Sequence, residues 1–152
     1  MIRYPRGCGA VADWRQPFAE IPFGKGRKLK DGKDIAVLSI GNIGNNVAKA
    51  VEGTDAAHYD MRFLKPLDYN IIKDCAREYN RIVTVEDGSR MGGFGSAVLE
   101  ALADICGEEG IPMPQVQRIG IPDSFIEHGT VPQLQEICGL DAEGIKRKGL
   151  QP

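Results

Sequence analysis

A chain of 152 residues, 42% of them hydrophobic and 26% charged, is long enough for one domain with a hydrophobic core. Nineteen basic and 21 acidic side chains give a net charge of −2, so the charge does not indicate binding to nucleic acid or to an acidic membrane surface. No apolar run approaches the ~20 residues that span a bilayer, and the N-terminal MIRYPRG lacks the apolar region of a signal peptide, so we expect a cytoplasmic protein.

The four cysteines show no spacing typical of a metal site. Cys8, Cys75, Cys106 and Cys138 lie far apart without a CxxC pair, and the chain has only two histidines. A disulfide framework would also be unusual in a chain with this much core. Because the last three cysteines fall in apolar helical patterns, we predict small buried side chains rather than catalytic thiols.

The N-terminal part of the chain divides into an arm and a basic segment. Residues 1–23 contain three of the nine prolines and no sustained periodicity, which predicts an extended arm. Residues 24–33, GKGRKLKDGK, combine basic residues with an Asp-Gly turn and predict a charged edge strand whose lysines block further pairing. A polyanion site is the alternative, but cations on one ribbon are easily solvated, so we favour the strand.

The rest of the chain alternates strands with helices. Strands are predicted over 34–40, 56–61, 81–85 and 115–121. Helices are predicted between and after them: one with Val47, Ala48 and Val51 on one face, one with Ile71, Ile72, Cys75 and Ala76 inward, one from Ser96 to Ile105, and two short ones over 130–137 and 141–148. This order predicts a three-layer α/β/α fold of the α/β class over residues 24–152. Its five-stranded sheet is mostly parallel, with one antiparallel edge strand.

The stretch VTVEDGSRMGGFGSAV, residues 83–98, joins a buried strand to a helix through a glycine loop. We expect Glu86-Asp87-Gly88 to end the strand and Ser96 to open the helix. A loop of this kind could hold a phosphate at the helix N-terminus. However, the GGxG spacing matches neither a dinucleotide fold nor a P-loop, and two acids precede it. We therefore favour glycines that serve helix–strand packing or a subunit contact.

Ligands of open parallel sheets lie off the carboxyl ends of the strands. The polar residues expected there fall in segments 42–45, 62–65, 86–90 and 123–128. Glu86 could be a general base, but a carboxylate at a strand end more often accepts backbone or arginine hydrogen bonds. His128 could be an acid/base or a ligand contact, although bonding to a neighbouring loop is the more common role. Arg62 and Lys65 are consistent with a salt-bridged corner or an interface.

Two arginines of the arm, Arg3 and Arg6, flank Tyr4 and Pro5 and are suited to a phosphate or a carboxylate. The chain carries nothing recognisable that would complete a pocket around them. Neither the arm nor the strand ends show a nucleophile with its base or closely spaced paired carboxylates.

Several motifs taken together match a known pattern. They are RYPRG at 3–7, IPFGKGR at 21–27, MRFLKPLD at 61–68, VTVEDGSRMGGFGSAV at 83–98, IGIPDSFIEHGT at 119–130 and GLDAEGI at 139–145. As a set they resemble the C-terminal part of the 1-deoxy-D-xylulose-5-phosphate synthase family. The KPLD and strand–acid–glycine pieces are also similar to transketolases and pyruvate dehydrogenase β-subunits, but RYPRG combined with IPDSFIEHG favours the synthases. The family often has EEN where this chain has EDG at 86–88.

The resemblance implies a thiamine-diphosphate enzyme that joins pyruvate to glyceraldehyde 3-phosphate with loss of CO₂. In that family the diphosphate and Mg²⁺ lie in the N-terminal domain and the pyrimidine ring in the middle domain. Residues 1–23 are then the end of the pyrimidine-binding domain, and residues 24–152 are a transketolase C-terminal-like domain. Arg6 would contact the substrate phosphate in the full enzyme. No catalytic, cofactor or metal residue is implied for this chain, which is expected to be inactive alone.

The partners implied by the resemblance are the remainder of the enzyme chain and a second copy in a homodimer. Three other interpretations remain open. They are a transketolase or dehydrogenase C-terminal domain, an independent small-anion module that uses the loop 92–96, and a protein-interaction subunit that uses residues 86–90.

Overall fold

The computed structural model describes residue 9, residue 15 and residues 17–151. The predictions for Arg3, Arg6, Cys8 and most of the 1–23 arm therefore lie outside the described residues.

A five-stranded sheet in the order β1-β3-β2-β4-β5 forms the centre of the fold. Its strands are β1 Arg27–Lys30, β2 Ile35–Ile40, β3 Ala56–Asp60, β4 Arg81–Ser89 and β5 Gln115–Ile121. β1 pairs with β3 antiparallel, and the other neighbours pair parallel. The predicted fold class is thus confirmed, including the antiparallel edge strand in the basic segment.

Helices cover both faces of the sheet. They are α1 Gly44–Ala50, α2 Tyr69–Glu78, α3 Phe94–Glu109, α4 Val131–Cys138 and α5 Ala142–Ile145, which continues as a π-helical segment, Lys146–Leu150. One core cluster joins α2 and α3 to the sheet, and a second joins α1, α4 and α5 to the opposite face. β2 is buried on both faces, as suits the apolar sequence IAVLSI in the middle of a parallel sheet. Cys75, Cys106 and Cys138 are buried and free, as predicted.

Two predicted element boundaries in the 83–98 stretch are wrong. β4 does not stop at Glu86 but continues to Ser89, because Glu86 pairs with Ile40 of β2 and Ser89 pairs with Ile121 of β5 after a register shift. α3 begins at Phe94 rather than at Ser96. Its early start has a cause outside the helix, because Glu86 of β4 binds the N–H groups of Phe94 and Gly95.

The predicted inner face of α1 is also partly wrong. Val47 and Val51 are buried, but the third buried position is Ala50, and Ala48 is exposed. Residues 47, 50 and 51 follow the spacing of three and four residues that places side chains on one side of a helix. At the other end of the chain, Thr130 is the N-cap of α4, and its N–H and hydroxyl both donate to the Gln133 side chain.

Candidate functional site at the carboxyl ends of the strands

The strand order places a switch point between β2 and β4. The chain leaves β2 towards β3 on one side and leaves β4 towards β5 on the other. The helices that follow these two strands, α1 and α3, pack on opposite faces of the sheet. Ligands of open α/β sheets bind in the crevice at such a point, so the loops after β2 and β4 are the candidate site.

Glu86 occupies the anion-binding position of this crevice. The residue is 5% exposed, and its carboxylate accepts the N–H of Phe94 at 2.8 Å and the N–H of Gly95 at 2.9 Å. Both N–H groups lie at the start of α3, where no carbonyl of the helix can accept them and where the helix dipole favours negative charge. The carboxylate therefore caps the helix from a neighbouring strand. The prediction that Glu86 accepts backbone hydrogen bonds is confirmed.

The glycines of the loop make room for this carboxylate and for the strand beneath. A Cβ on Gly93 would lie 2.1 Å from the Ser89 carbonyl oxygen and 2.2 Å from Glu86 Oε2. A Cβ on Gly95 would lie 2.6 Å from Thr84 Oγ1. Packing between helix and strand, rather than phosphate binding, thus explains the spacing of these glycines.

The other polar groups of the crevice bond to one another. Ser96 Oγ accepts the N–H of Gly92 at 3.0 Å and a guanidinium N–H of Arg118 at 2.8 Å. The same Arg118 nitrogen donates to the Arg90 carbonyl. On the β2 side, Asn45 donates its amide to the carbonyl and side-chain oxygens of Asn42. These contacts hold the loops closed and use groups that a ligand would otherwise engage.

The corner after β3 is held by two aspartates. Asp60 accepts from Arg27 at 3.1 Å and from the backbone N–H of Arg62, whose φ of 57° is left-handed. Asp68 caps α2 through the N–H of Asn70 and also accepts the N–H of Gly26 at 3.0 Å. Of the two interpretations of Arg62 and Lys65, the salt-bridged corner agrees with the position of Arg62, whose guanidinium lies 3.9 Å from Asp60. Asp68 additionally fixes the chain that leads into β1.

A buried serine–histidine pair was not identified from the sequence. Ser39 Oγ and His58 Nε2 share a hydrogen bond of 2.8 Å between β2 and β3, and each residue is 1% exposed. Burial lowers the pKa of His58 to about 4, so the imidazole is neutral near pH 7. A histidine inside the apolar segment AAHYDM was the available signal, because a buried polar side chain needs a partner. With no exposure to substrate, the pair stabilises the sheet.

His128 and Asp87 are both exposed, and they border different grooves. His128 lines a shallow groove of about 480 Å³ with Gly129, Gln133 and Ile137. Asp87 borders a smaller apolar groove of about 200 Å³ with Ile126 and Leu134. The structure thus does not bring the predicted polar residues of the strand ends together into one site.

The geometry does not fit thiamine diphosphate or its Mg²⁺. A diphosphate at the start of α3 would meet the Glu86 carboxylate where it needs N–H donors. Within residues 17–151, moreover, His, Cys, Asp and Glu form no group of three or more able to hold a metal ion. The same part of the chain contains no helix with the length and apolar character to cross a bilayer.

Residues 24–145 match the family model described as "Transketolase, C-terminal domain". The chain belongs to this family. A solved structure described as "Split gene transketolase, inactive beta4 tetramer" is similar to this domain, with a TM-score of 0.70 and a sequence identity of 36%. That match covers 82% of this chain and 41% of the other.

Curated relatives of this transketolase C-terminal domain are 1-deoxy-D-xylulose-5-phosphate synthases. The chain is 54% identical to the synthase of Parabacteroides distasonis over 97% of its own length and 23% of the relative's. It is 52% identical to the synthase of Bacteroides thetaiotaomicron, over 99% of this chain and 24% of the relative's length. The chain therefore spans about a quarter of the length of these relatives, and it corresponds to their C-terminal part.

Proposed function

We propose that this chain is the C-terminal domain of a 1-deoxy-D-xylulose-5-phosphate synthase. The observation that carries the proposal is the identity of 54% to a curated synthase across nearly the whole chain. The names of the curated relatives favour a synthase over the transketolase and pyruvate dehydrogenase alternatives. The position of Glu86 at the start of α3 argues against the independent anion-binding module.

The whole enzyme would condense pyruvate with glyceraldehyde 3-phosphate, with loss of CO₂, in non-mevalonate isoprenoid biosynthesis. Thiamine diphosphate and Mg²⁺ would be held by the parts of the enzyme that precede this domain. Residues 1–23 would be the end of the pyrimidine-binding domain, and a family match that begins at residue 24 supports this boundary. We further propose a cytoplasmic homodimer, as in the family that the chain resembles.

This domain has a structural role and no activity of its own. The crevice at Glu86 supports this part of the proposal, because the Glu86 carboxylate already occupies the N–H groups of Phe94 and Gly95 that a diphosphate would use. The similar split-gene transketolase structure is itself described as an inactive tetramer. Arg6 would act only in the whole enzyme, where its guanidinium would bind the substrate phosphate.

Assay of the isolated chain tests the structural role. The chain is incubated with pyruvate, glyceraldehyde 3-phosphate, thiamine diphosphate and Mg²⁺, and thiamine diphosphate is titrated into it by calorimetry. We expect neither turnover nor heat of binding. The synthase of P. distasonis, assayed in parallel, is the positive control. Turnover or saturable binding by the 152-residue chain would contradict the proposal.

A further inference from the structure

One edge of the domain carries a concentration of exposed apolar side chains. These side chains are between 45% and 107% exposed, and we call the set the apolar edge: Phe23, Leu64, Tyr69, Met91 and Phe125. Each lies at the carboxyl end of the parallel strands, since Leu64 and Tyr69 follow β3, Met91 follows β4 and Phe125 follows β5. Phe23 joins them because β1 begins beside the end of β3. In the described loops at the amino end, Met113 is the one large apolar side chain that is exposed.

The apolar edge has the composition of an interface. Its loops follow strands three positions apart in the sheet, which at ~4.8 Å per strand gives a width of about 14 Å between the β3 and β5 loops. Exposed charged residues, Lys65, Arg90 and Asp123, lie among the apolar ones. Apolar side chains bordered by polar residues, with arginine among them, are typical of protein–protein contacts. Because the polar groups of the crevice bond internally, the edge favours a protein surface over a small polar ligand.

The polypeptide enters the domain at this same edge. The Phe23 ring packs against Phe63 edge to face, with centroids 5.5 Å apart. The N–H of Gly26 donates to Asp68, and Lys25 lies 3.6 Å from the same carboxylate. These contacts fix the direction from which the preceding residues reach the sheet. The described residues just before β1 thus meet the sheet at the carboxyl ends of the parallel strands.

We propose that the apolar edge docks against the preceding part of the same enzyme chain. This inference rests on the proposed function, since the chain spans 23% of its synthase relative and the larger part of such an enzyme would lie outside it. The edge that binds ligands in many open α/β sheets here buries apolar surface against a neighbouring domain. The occupant is an apolar surface of the domain that ends in the 1–23 arm.

Hydroxyl-radical footprinting tests the docking in a whole protein. The C-terminal part of the P. distasonis synthase that matches this chain is replaced by this chain, and the labelling of the chimera is compared with that of the isolated 152-residue chain. We expect Met91 and Phe125 to be labelled at least fivefold less in the chimera. Met113, at the opposite end of the strands, is the internal control and should be labelled equally in both. Equal labelling of Met91 in the two proteins would overturn the proposal.

Two further measurements identify the occupant. Protection of Met91 that depends on the concentration of the isolated chain would assign the edge to a second copy instead. Lysine cross-linking of the chimera, mixed from ¹⁴N and ¹⁵N preparations, should join Lys65 only to lysines of the same isotope, and mixed pairs would overturn the proposal.

Turnover separates the docking proposal from the proposed function. An active chimera with Met91 still labelled refutes the docking alone, whereas a protected but inactive chimera refutes the proposed reaction alone.

Discussion

Glu86 acts as the helix cap of α3, although it lies eight residues before the first donor that it binds. Its two oxygens take two N–H groups, so it does from the strand what an Asp or Ser at the N-cap does within a helix. Gly93, the N-cap residue itself, has no side chain to contribute and would clash with the carboxylate if it had one. The glycine loop and the acid before it are thus one structural unit.

Replacing Glu86 by Gln should destabilise the fold by about 2 kcal/mol, because the amide leaves one buried N–H without an acceptor. Urea unfolding measures the change. The matched control is Asp87→Asn, an exposed carboxylate one residue along, which should stay within about 0.5 kcal/mol of the parent. Equal effects of the two substitutions would contradict the capping role.

His58 should make stability depend on pH. Its folded pKa, lowered by burial from 6.5 to about 4, means that the unfolded chain binds a proton between these values and the folded chain does not. Stability is therefore complete above pH 6.5 and is lost as pH falls towards 4, by on the order of 3 kcal/mol. Nearby Asp60 and Lys30 act in opposite directions on this pKa.

Unfolding in urea from pH 7 to pH 4 tests this dependence. His58→Gln should lose less stability over the interval than the parent, whereas the exposed control His128→Gln should follow the parent curve. Parallel curves for His58→Gln and the parent would show that the buried imidazole does not set the dependence.

At the scale of elements, α3 packs on β4 through Gly95 and projects Gly107 into open space. A Cβ at position 95 would lie 2.6 Å from Thr84 Oγ1 and 3.1 Å from Arg118 Cγ, but a Cβ at position 107 meets nothing within 4 Å. Gly95→Ala should cost about 1–3 kcal/mol through overpacking. Gly107→Ala should raise the free energy of unfolding by at most about 1 kcal/mol, because alanine favours the helix. Urea unfolding of the pair measures both, and a neutral Gly95→Ala would refute the close packing.

Strands and helices could be predicted where one pattern dominated. The apolar residues of β2 predicted a central strand, and the lysines of β1 indicated the edge of the sheet. The end of β4 could not be predicted, because Glu86 and Asp87 are poor strand residues and the strand continues through pairs of Glu86 with β2 and of Ser89 with β5. The start of α3 likewise depends on a carboxylate from outside the helix, and the partner of His58 lies 19 residues away in another strand.

At the scale of the molecule, the domain presents closed polar loops and an exposed apolar edge. Those features agree with a part of a larger enzyme rather than with an independent catalyst. The chemistry expected of the whole enzyme would reach this chain through Arg6. In the chimera, Arg6→Gln should raise the KM for glyceraldehyde 3-phosphate at least tenfold and leave the KM for pyruvate nearly unchanged. Equal changes in the two KM values would contradict a phosphate contact.

Turnover of the chimera tests the central claim most directly. The P. distasonis synthase with its matched C-terminal part replaced by this chain is supplied with both substrates, thiamine diphosphate and Mg²⁺, and product formation is measured. The account predicts a rate within about tenfold of the parent synthase. A Gly93→Val chimera should be inactive, because its Cβ would lie 2.1 Å from a backbone oxygen. A folded chimera without activity would contradict the assignment of this chain to a synthase.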